Sequence, residues 1–186
     1  MKTTNPSRVS EQLARLISTV KEDRSGSPSE YLEDVEDRPV DGFAVAVCTT
    51  DGVAVSEGDT DQVFAMQSVS KALTYAVALQ ERGMDAVLEG VGVEPSGMAF
   101  NELTLHSDGR PYNPLINVGA IMTHGLIPGS DEDARLELLL DRYSQLAGTD
   151  LTISEDVWEA ETDRAHRNLG LAHMLAASQM LSLIHI

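Results

Sequence analysis

The sequence has very little cysteine, few positive charges and no long hydrophobic run. Its single cysteine, Cys48, excludes a disulfide within the chain. Only 13 Lys and Arg stand against 30 Asp and Glu, which gives a formal net charge of −17. Such a charge repels phosphate backbones and anionic lipid surfaces, so we expect neither a nucleic acid nor a membrane as a partner. No apolar run is long enough to cross a membrane, and residues 1–8 lack the apolar core of a signal peptide, which predicts a cytoplasmic protein.

Motifs that hold phosphates or metals are also missing. The sequence contains no G-x-G-x-x-G, no phosphate-binding loop and no H-E-x-x-H. Its five histidines are scattered, and although His166 and His173 could share a helix face, no pattern of acidic or cysteine partners accompanies them. We therefore expect no metal site and no cofactor.

The segment 67–83 is the clearest helix in the sequence. Its small and apolar residues recur at helical spacing and few of its side chains are charged, which predicts a buried central helix. Gly83 stands where a left-handed helix stop belongs. The apolar positions are Val69, Ala72, Leu73, Ala76, Val77 and Leu79.

The first turn of this segment places a hydroxyl, Ser68, three residues before an amine, Lys71. A serine is a poor nucleophile until a base takes its proton, and a lysine can act as that base only if burial or positive charge lowers its pKa. The start of a buried helix supplies a low dielectric and free N–H groups that can hold an oxyanion. The same spacing recurs at Ser18 and Lys21 inside an ordinary amphipathic helix, so the pair also fits a helix that only packs a core.

The remaining pattern predicts an α+β chain that is mostly helical. A helix runs from Asn5-Pro6 to about residue 21, and β-prone runs at 42–48 and 53–55 flank the Asp51-Gly52 turn of a hairpin. Cys48 is read as a small core residue of that hairpin. A long loop at 92–114 separates the later helices, which we place at 84–91, 115–127, 130–147, about 154–161 and 168–181. The hairpin should lie beside the helix cluster.

Together, these segments resemble the serine-dependent glutaminases, a branch of the β-lactamase and penicillin-binding-protein fold. The resemblance covers about residues 31–175 and depends on many segments in one order. The matching segments are 45–48 with Asp51-Gly52 and Gly58-Asp59, Phe64 with 67–71, 91–97, Phe100-Asn101, 113–121, and Glu161 with Arg167-Asn168.

The resemblance implies a role for each matching polar residue. Ser68 would be the nucleophile and also contact the substrate, and Lys71 would be its general base. The other substrate-binding residues would be Tyr31, Asn117, Glu161 and Asn168. The implied activity is hydrolysis of L-glutamine to L-glutamate and ammonia through an acyl-enzyme, in a homodimer or homotetramer. Two alternatives stay open: a serine acyl-enzyme of the β-lactamase or peptidase type, and a non-catalytic helical binding module.

The sequence departs from the family pattern in three places. Val118 replaces the usual alanine after Asn117, and Ala165 replaces the usual glycine before Arg167-Asn168. The chain also ends before the family's later strands, tyrosines and Lys-Ser-Gly strand, so we expect a C-terminally truncated chain that exposes a strand edge and has little or no activity by itself.

The expected organisation is the N-terminal portion of a single glutaminase domain over 1–186. Its parts are an N-terminal helix (1–24), a loop and β-hairpin (25–66), a helical part (67–180) and a possible non-native tail (181–186), which reads like a translated sequencing adapter.

Overall fold

The computed structural model describes residues 5–27, 42–178 and 180–181. Tyr31, which the resemblance assigns to the substrate site, lies outside the described residues, as do residues 182–186. The chain divides into two compact units, Met1–Ala65 and Met66–Ile186. None of the described helices is long and apolar enough to cross a membrane.

The first unit contains a capped amphipathic helix. Helix α1, Pro6–Val20, begins where Asn5 Oδ1 accepts a hydrogen bond from Ser7 N at 3.1 Å. This cap and the proline that follows it are the start signals read from the sequence, so the predicted helix is confirmed.

A β-hairpin completes the first unit. Strands β1, Ala44–Cys48, and β2, Ala54–Gly58, are antiparallel, with Val47 opposite Val55. The turn between them needs Gly52, whose φ is 83°, a value that side chains with a Cβ rarely adopt. The predicted hairpin is confirmed, with β2 extending three residues beyond the predicted end at 55.

The burial of the hairpin differs from the prediction. Side chains alternate between exposed and half-buried along both strands, and Cys48 lies on the exposed face of β1 with Ala44 and Ala46. The prediction of Cys48 as a core residue is therefore wrong. Alternation shows that a strand has two different faces, but it does not show which face is covered.

The second unit is a set of helices that begins with the segment carrying Ser68. This segment starts as a 3₁₀ turn, Gln67–Val69, before it continues as α-helix, whereas the sequence suggested one continuous helix. Gly83 ends the helix with a φ of 81° and a ψ of 160°, so the predicted stop is confirmed although its conformation is not the left-handed helical one. The helices are α2 (Ser70–Arg82), α3 (Met84–Gly90), α4 (Asn117–Gly125), α5 (Glu132–Ala147), α6 (Glu155–Asp163) and α7 (His166–Ala177).

Two apolar clusters pack five of these helices, with α2, α3 and α5 in the first cluster and α4 and α7 in the second. One face of α2 is buried and Ala72 and Ala76 on another face are exposed, so the helix is less enclosed than predicted. The first cluster comprises Val77, Ala78, Val87, Val91, Ile127 and Leu139. The second comprises Ile116, Val118, Met122, Leu171, Leu175 and Leu181. Val118, the departure from the family's alanine, is fully buried in this second cluster and is thus part of its packing.

The long loop before α4 is tied down by hydrogen bonds. Asn113 Oδ1 accepts from the N–H groups of Leu115 and Ile116 at 3.0 and 3.2 Å, and Asn113 Nδ2 donates to the carbonyl of Glu94 at 2.9 Å. Helix α4 passes so close to this loop that a Cβ on Gly119 would lie 1.8 Å from the Asn113 carbonyl oxygen. This close approach fixes the start of α4 and therefore the position of Asn117.

The predicted α+β class is confirmed. The described residues form a two-stranded sheet and seven α-helices, and many of their large apolar side chains are exposed. Phe64, Val69 and Trp158 are among these exposed side chains.

Candidate active site

Ser68 lies in the 3₁₀ turn that leads into α2, and its side chain is exposed. The residue before it, Gln67, has a φ of 43°, and among the residues that the structure describes it is the one non-glycine residue with a positive φ. Such a conformation is unfavourable by roughly 1–3 kcal/mol and is concentrated at functional sites. The backbone thus turns sharply just before the predicted nucleophile.

Lys71 lies in the first turn of α2 and is half-buried. Its Nζ donates a hydrogen bond to Asn117 Oδ1 at 2.7 Å and lies 5.7 Å from the centroid of the Phe100 ring. Burial lowers the pKa of Lys71 from its usual value, because the charged ammonium loses part of its hydration. The direction of this shift is the one that a general base requires.

The structure holds Lys71 through Asn117, without a direct bond to Ser68. Among the described residues, the Ser68 hydroxyl has no hydrogen-bond partner. An exposed hydroxyl without a partner is accessible to an incoming carbonyl. In structures without substrate, catalytic hydrogen bonds are often long and tighten only when substrate binds.

Asn117 connects three helices. It is the first residue of α4, and its N–H donates to the Phe100 carbonyl at 2.8 Å. Its side-chain Nδ2 donates to Asn168 Oδ1 on α7 at 3.2 Å, while Oδ1 accepts from Lys71. The bonds from Lys71 to Asn117 and from Asn117 to Asn168 therefore join residues that the sequence analysis had placed together only by resemblance.

Glu161 reaches the same turn from α6. Its Oε1 accepts a hydrogen bond from Gln67 Nε2 at 3.1 Å, across 94 positions of sequence. The carboxylate is half-buried and lies beside the residue that immediately precedes Ser68. The structure thus brings Ser68, Lys71, Asn117, Glu161 and Asn168 into one region of the second unit.

Two residues of this region were not predicted to have a role. Gln67 and Phe100 both lie in segments that carry the resemblance, and proximity to the Ser-x-x-Lys pair is the signal that could have identified Gln67. Its positive φ and its bond to Glu161 are tertiary features that local pattern does not encode. Phe100 could not be identified from spacing, because 29 positions separate it from Lys71.

The second Ser-x-x-Lys pair has different surroundings. Ser18 lies in the last turn of α1, is exposed, and donates its hydroxyl hydrogen to the Arg15 carbonyl at 2.8 Å. Lys21 is exposed at the end of the same helix. The hydroxyl hydrogen of Ser18 is therefore directed at the backbone of its own helix and not at Lys21.

The described residues contain no group of three or more His, Cys, Asp or Glu that could hold a metal ion. His166 and His173, the pair considered from sequence, are both exposed on α7.

Comparison with known proteins gives the same family over almost the whole chain. A family model described as glutaminase matches residues 26–184. The chain is 44% identical to a glutaminase of Corynebacterium glutamicum, over 90% of this chain and 41% of the relative, and 36% identical to one of Nostoc sp., over 91% and 51%. A crystal structure of Mglu in its glutamate form is 36% identical, with a TM-score of 0.86, and the match covers all of this chain and 42% of that one.

The chain therefore spans about half the length of the relatives it matches, or less. Its segments, its fold and the family model agree, and the chain belongs to the glutaminase family.

Proposed function

We propose that the whole protein hydrolyses the side-chain amide of L-glutamine to give L-glutamate and ammonia, with Ser68 as nucleophile. The observation that carries this proposal is the hydrogen-bonded set around the start of α2. Lys71 is held by Asn117, Asn117 by Asn168, and Glu161 by Gln67, all next to an exposed serine hydroxyl. The membership of the chain in the glutaminase family supports the choice of substrate.

The reaction begins with the removal of one proton. Neutral Lys71 takes the proton of the Ser68 hydroxyl as Ser68 Oγ attacks the side-chain carbonyl carbon of glutamine. In this proposal the N–H of Ser68 donates to the charge that develops on the carbonyl oxygen. Burial of Lys71 favours its neutral form, which is the form that can accept the proton.

The acyl-enzyme then forms and breaks down. The carbon–nitrogen bond of the tetrahedral intermediate breaks, the proton on Lys71 passes to the departing nitrogen, and ammonia leaves. A water molecule gives one proton to Lys71, and its oxygen attacks the ester carbon. The bond to Ser68 Oγ breaks, the serine regains its proton from Lys71, and glutamate is released.

The polar residues around Ser68 match the two charged groups of an amino acid. The Glu161 carboxylate pairs with the α-ammonium, and the side-chain amides of Asn117 and Asn168 donate to the α-carboxylate or to the side-chain amide. Tyr31 is a further substrate-binding residue in this proposal and contributes a phenolic hydroxyl. None of these steps requires a cofactor.

The assembly and compartment are also part of the proposal. A homodimer or homotetramer in the cytoplasm is the arrangement that the resemblance implies. The formal net charge of −17 supports the absence of nucleic acid and anionic membrane partners, because like charges repel.

The experiment measures ammonia and glutamate release by the whole protein and compares two serine variants. Ser68→Ala should lower kcat by about 10⁴-fold or more, because no other group forms the acyl-enzyme. Ser18→Ala is the matched control, since it removes a serine hydroxyl from the same sequence motif. It should leave kcat within about twofold of the wild type. Glutamine hydrolysis that is equal in the Ser68→Ala variant and the wild type would refute the proposal.

A further inference from the structure

Behind the turn that carries Ser68 and Lys71 lies a small buried polar cluster that the proposed reaction does not use. Thr74 on α2 is 1% exposed, and its Oγ1 donates to the carbonyl of Ser70 at 2.9 Å. Tyr143 on α5 is half-buried, and its hydroxyl is hydrogen-bonded to Thr74 Oγ1 and lies 3.5 Å from the same Ser70 carbonyl. His124 on α4 completes the cluster, with Nε2 at 3.5 Å from Thr74 Oγ1.

The hydrogen count allows two arrangements of this cluster. If Thr74 donates its one hydrogen to the Ser70 carbonyl at 2.9 Å, the bond between the two hydroxyls takes the hydrogen of Tyr143. If Tyr143 donates to the Ser70 carbonyl at 3.5 Å, that bond takes the hydrogen of Thr74. Burial raises the pKa of Tyr143, which keeps its hydroxyl protonated and available as a donor. In both arrangements one hydroxyl of the pair donates to the Ser70 carbonyl and the two hydroxyls are bonded to each other.

Ser70 is held at both of its ends. Its own hydroxyl donates to the Gln67 carbonyl at 2.6 Å, and its carbonyl accepts from Thr74. Ser70 lies between Ser68 and Lys71, at the change from 3₁₀ turn to α-helix. A residue fixed at this point limits how far the serine and the lysine can move relative to each other.

We propose that the hydroxyls of Thr74 and Tyr143 are positioning groups of the active site, which clamp the Ser70 carbonyl and so hold Ser68 and Lys71 in register with Asn117. This inference rests on the proposed function, because it assigns the clamp to the serine and lysine of that reaction. Thr74 and Tyr143 do not touch the substrate. They act through the backbone of the turn that carries the two reacting side chains.

Thr123 supplies a matched control. It is as buried as Thr74, with 0% exposure, and its Oγ1 donates to the Gly119 carbonyl four residues earlier at 2.8 Å. Its hydroxyl thus makes the same kind of bond within a helix, but it bonds α4 alone. Thr74→Val and Thr123→Val remove the same atoms from equally buried sites, and only the first releases the Ser70 carbonyl.

The first test measures glutamine turnover by the whole protein. Thr74→Val should lower kcat about tenfold with little change in KM, because misplacement of reacting groups slows the chemical step more than it weakens binding. Thr74→Ser, which keeps the hydroxyl, should restore kcat, and Thr123→Val should leave it within about twofold of the wild type. Tyr143→Phe, which keeps the ring, should resemble Thr74→Val and serves as the second variant in case Thr74→Val unfolds the protein.

The second test does not depend on glutamine turnover. In the 186-residue chain with Cys48→Ser, the substitution Ser68→Cys introduces the only thiol, and its alkylation by iodoacetamide as a function of pH gives the pKa of that thiol. The N-terminal end of a helix lowers a thiol pKa, so a turn that is held at the start of α2 should give a value below the usual one of about 8.5. Adding Thr74→Val or Tyr143→Phe should raise this pKa and slow alkylation at pH 7, whereas adding Thr123→Val should change neither.

The two tests separate the two proposals. If the whole protein does not hydrolyse glutamine, the proposed function fails, and the thiol titration still decides whether the clamp positions the turn. The clamp is refuted if Thr74→Val and Tyr143→Phe leave the thiol pKa unchanged, if Thr123→Val changes it equally, or if Thr74→Ser is as slow in turnover as Thr74→Val.

Discussion

The two Ser-x-x-Lys turns of this chain have the same spacing and different surroundings. Ser18 and Lys21 are exposed on α1, and the Ser18 hydroxyl bonds the helix to which it belongs. Ser68 precedes α2 in a 3₁₀ turn, and Lys71 is half-buried against Asn117, which belongs to another helix. The contrast shows that the motif supplies the reacting groups, while partners distant in sequence supply the low dielectric and the fixed geometry that chemistry requires.

The largest expected difference between the two turns is the loss of kcat when the lysine of each turn is replaced by alanine. Lys71→Ala should lower the kcat of glutamine hydrolysis by about 10³-fold, which lies within the range for loss of a general base. Lys21→Ala should leave kcat within about twofold of the wild type, because an exposed lysine at the end of α1 takes no part in the reaction. Steady-state kinetics of the whole protein measures both, and equal losses in the two variants would remove the distinction between the turns.

The next effect concerns the helix that carries Asn117. Gly119→Ala should destabilise the chain by about 3 kcal/mol or more, because its Cβ would lie 1.8 Å from the Asn113 carbonyl oxygen and α4 would have to move. Gly170→Ala is the matched control on α7, where an added Cβ meets nothing within 4 Å. It should stabilise the helix by about 0.5–1 kcal/mol.

Urea unfolding of the 186-residue chain measures this pair. An unfolding midpoint of Gly119→Ala equal to that of the wild type, or a larger loss of stability in Gly170→Ala, would contradict a rigid start of α4.

A smaller effect is expected in the pH profile. Asn117→Asp places a carboxylate against Lys71 Nζ, which favours the protonated lysine and raises its pKa. Since the neutral lysine is the base, the rising limb of kcat/KM against pH should move to higher pH, by about one unit. Asn168→Asp adds the same charge one hydrogen bond further from Lys71 and should move the limb less.

The pH profile of each variant under the same buffers provides the comparison. A limb that moves to lower pH in Asn117→Asp, or further in Asn168→Asp than in Asn117→Asp, would contradict the proposed role of Lys71.

The smallest expected effect is the salt dependence of stability when the exposed Lys21 or the half-buried Lys71 is replaced by glutamate. The formal net charge of −17 destabilises the compact chain through self-repulsion, which salt screens. Lys21→Glu should therefore lower the free energy of unfolding by about 0.5 kcal/mol at low salt. This loss of stability should disappear at about 1 M NaCl. The Lys71→Glu variant should stay less stable than the wild type at high salt, because salt screens partly buried charges much less than exposed ones. Thermal unfolding at the two salt concentrations tests this difference.

Local pattern predicted most elements but not the contacts between them. Asn5-Pro6 and Asp51-Gly52 located α1 and the hairpin, because caps and tight turns depend on residues close together in sequence. The resemblance, and not spacing, indicated Asn117, Glu161 and Asn168. The structure places these three residues in a set of hydrogen bonds around the helix start, and their roles toward substrate stay predictions.

The features that could not be predicted all depend on tertiary structure. The bond between Gln67 and Glu161 and the bond between Thr74 and Tyr143 join positions far apart in the chain, which a periodicity of 2 or 3.6 residues does not report. The positive φ of Gln67 is likewise not visible in that periodicity. The exposure of Cys48 is a similar case, because the pattern of β1 is compatible with either face being covered.

The central claim is that the fold lowers the pKa of Lys71 and so favours the neutral amine that can accept a proton, and an NMR titration of this amine tests the claim most directly. The 186-residue chain carries labelled lysine, Lys71→Arg assigns the signal, and the same signal in urea gives the reference for the unfolded chain. The account predicts that Lys71 loses its proton at lower pH in the folded chain than in urea, because burial disfavours the ammonium. A Lys71 that titrates at the same pH in both states, or at higher pH when folded, would contradict the account.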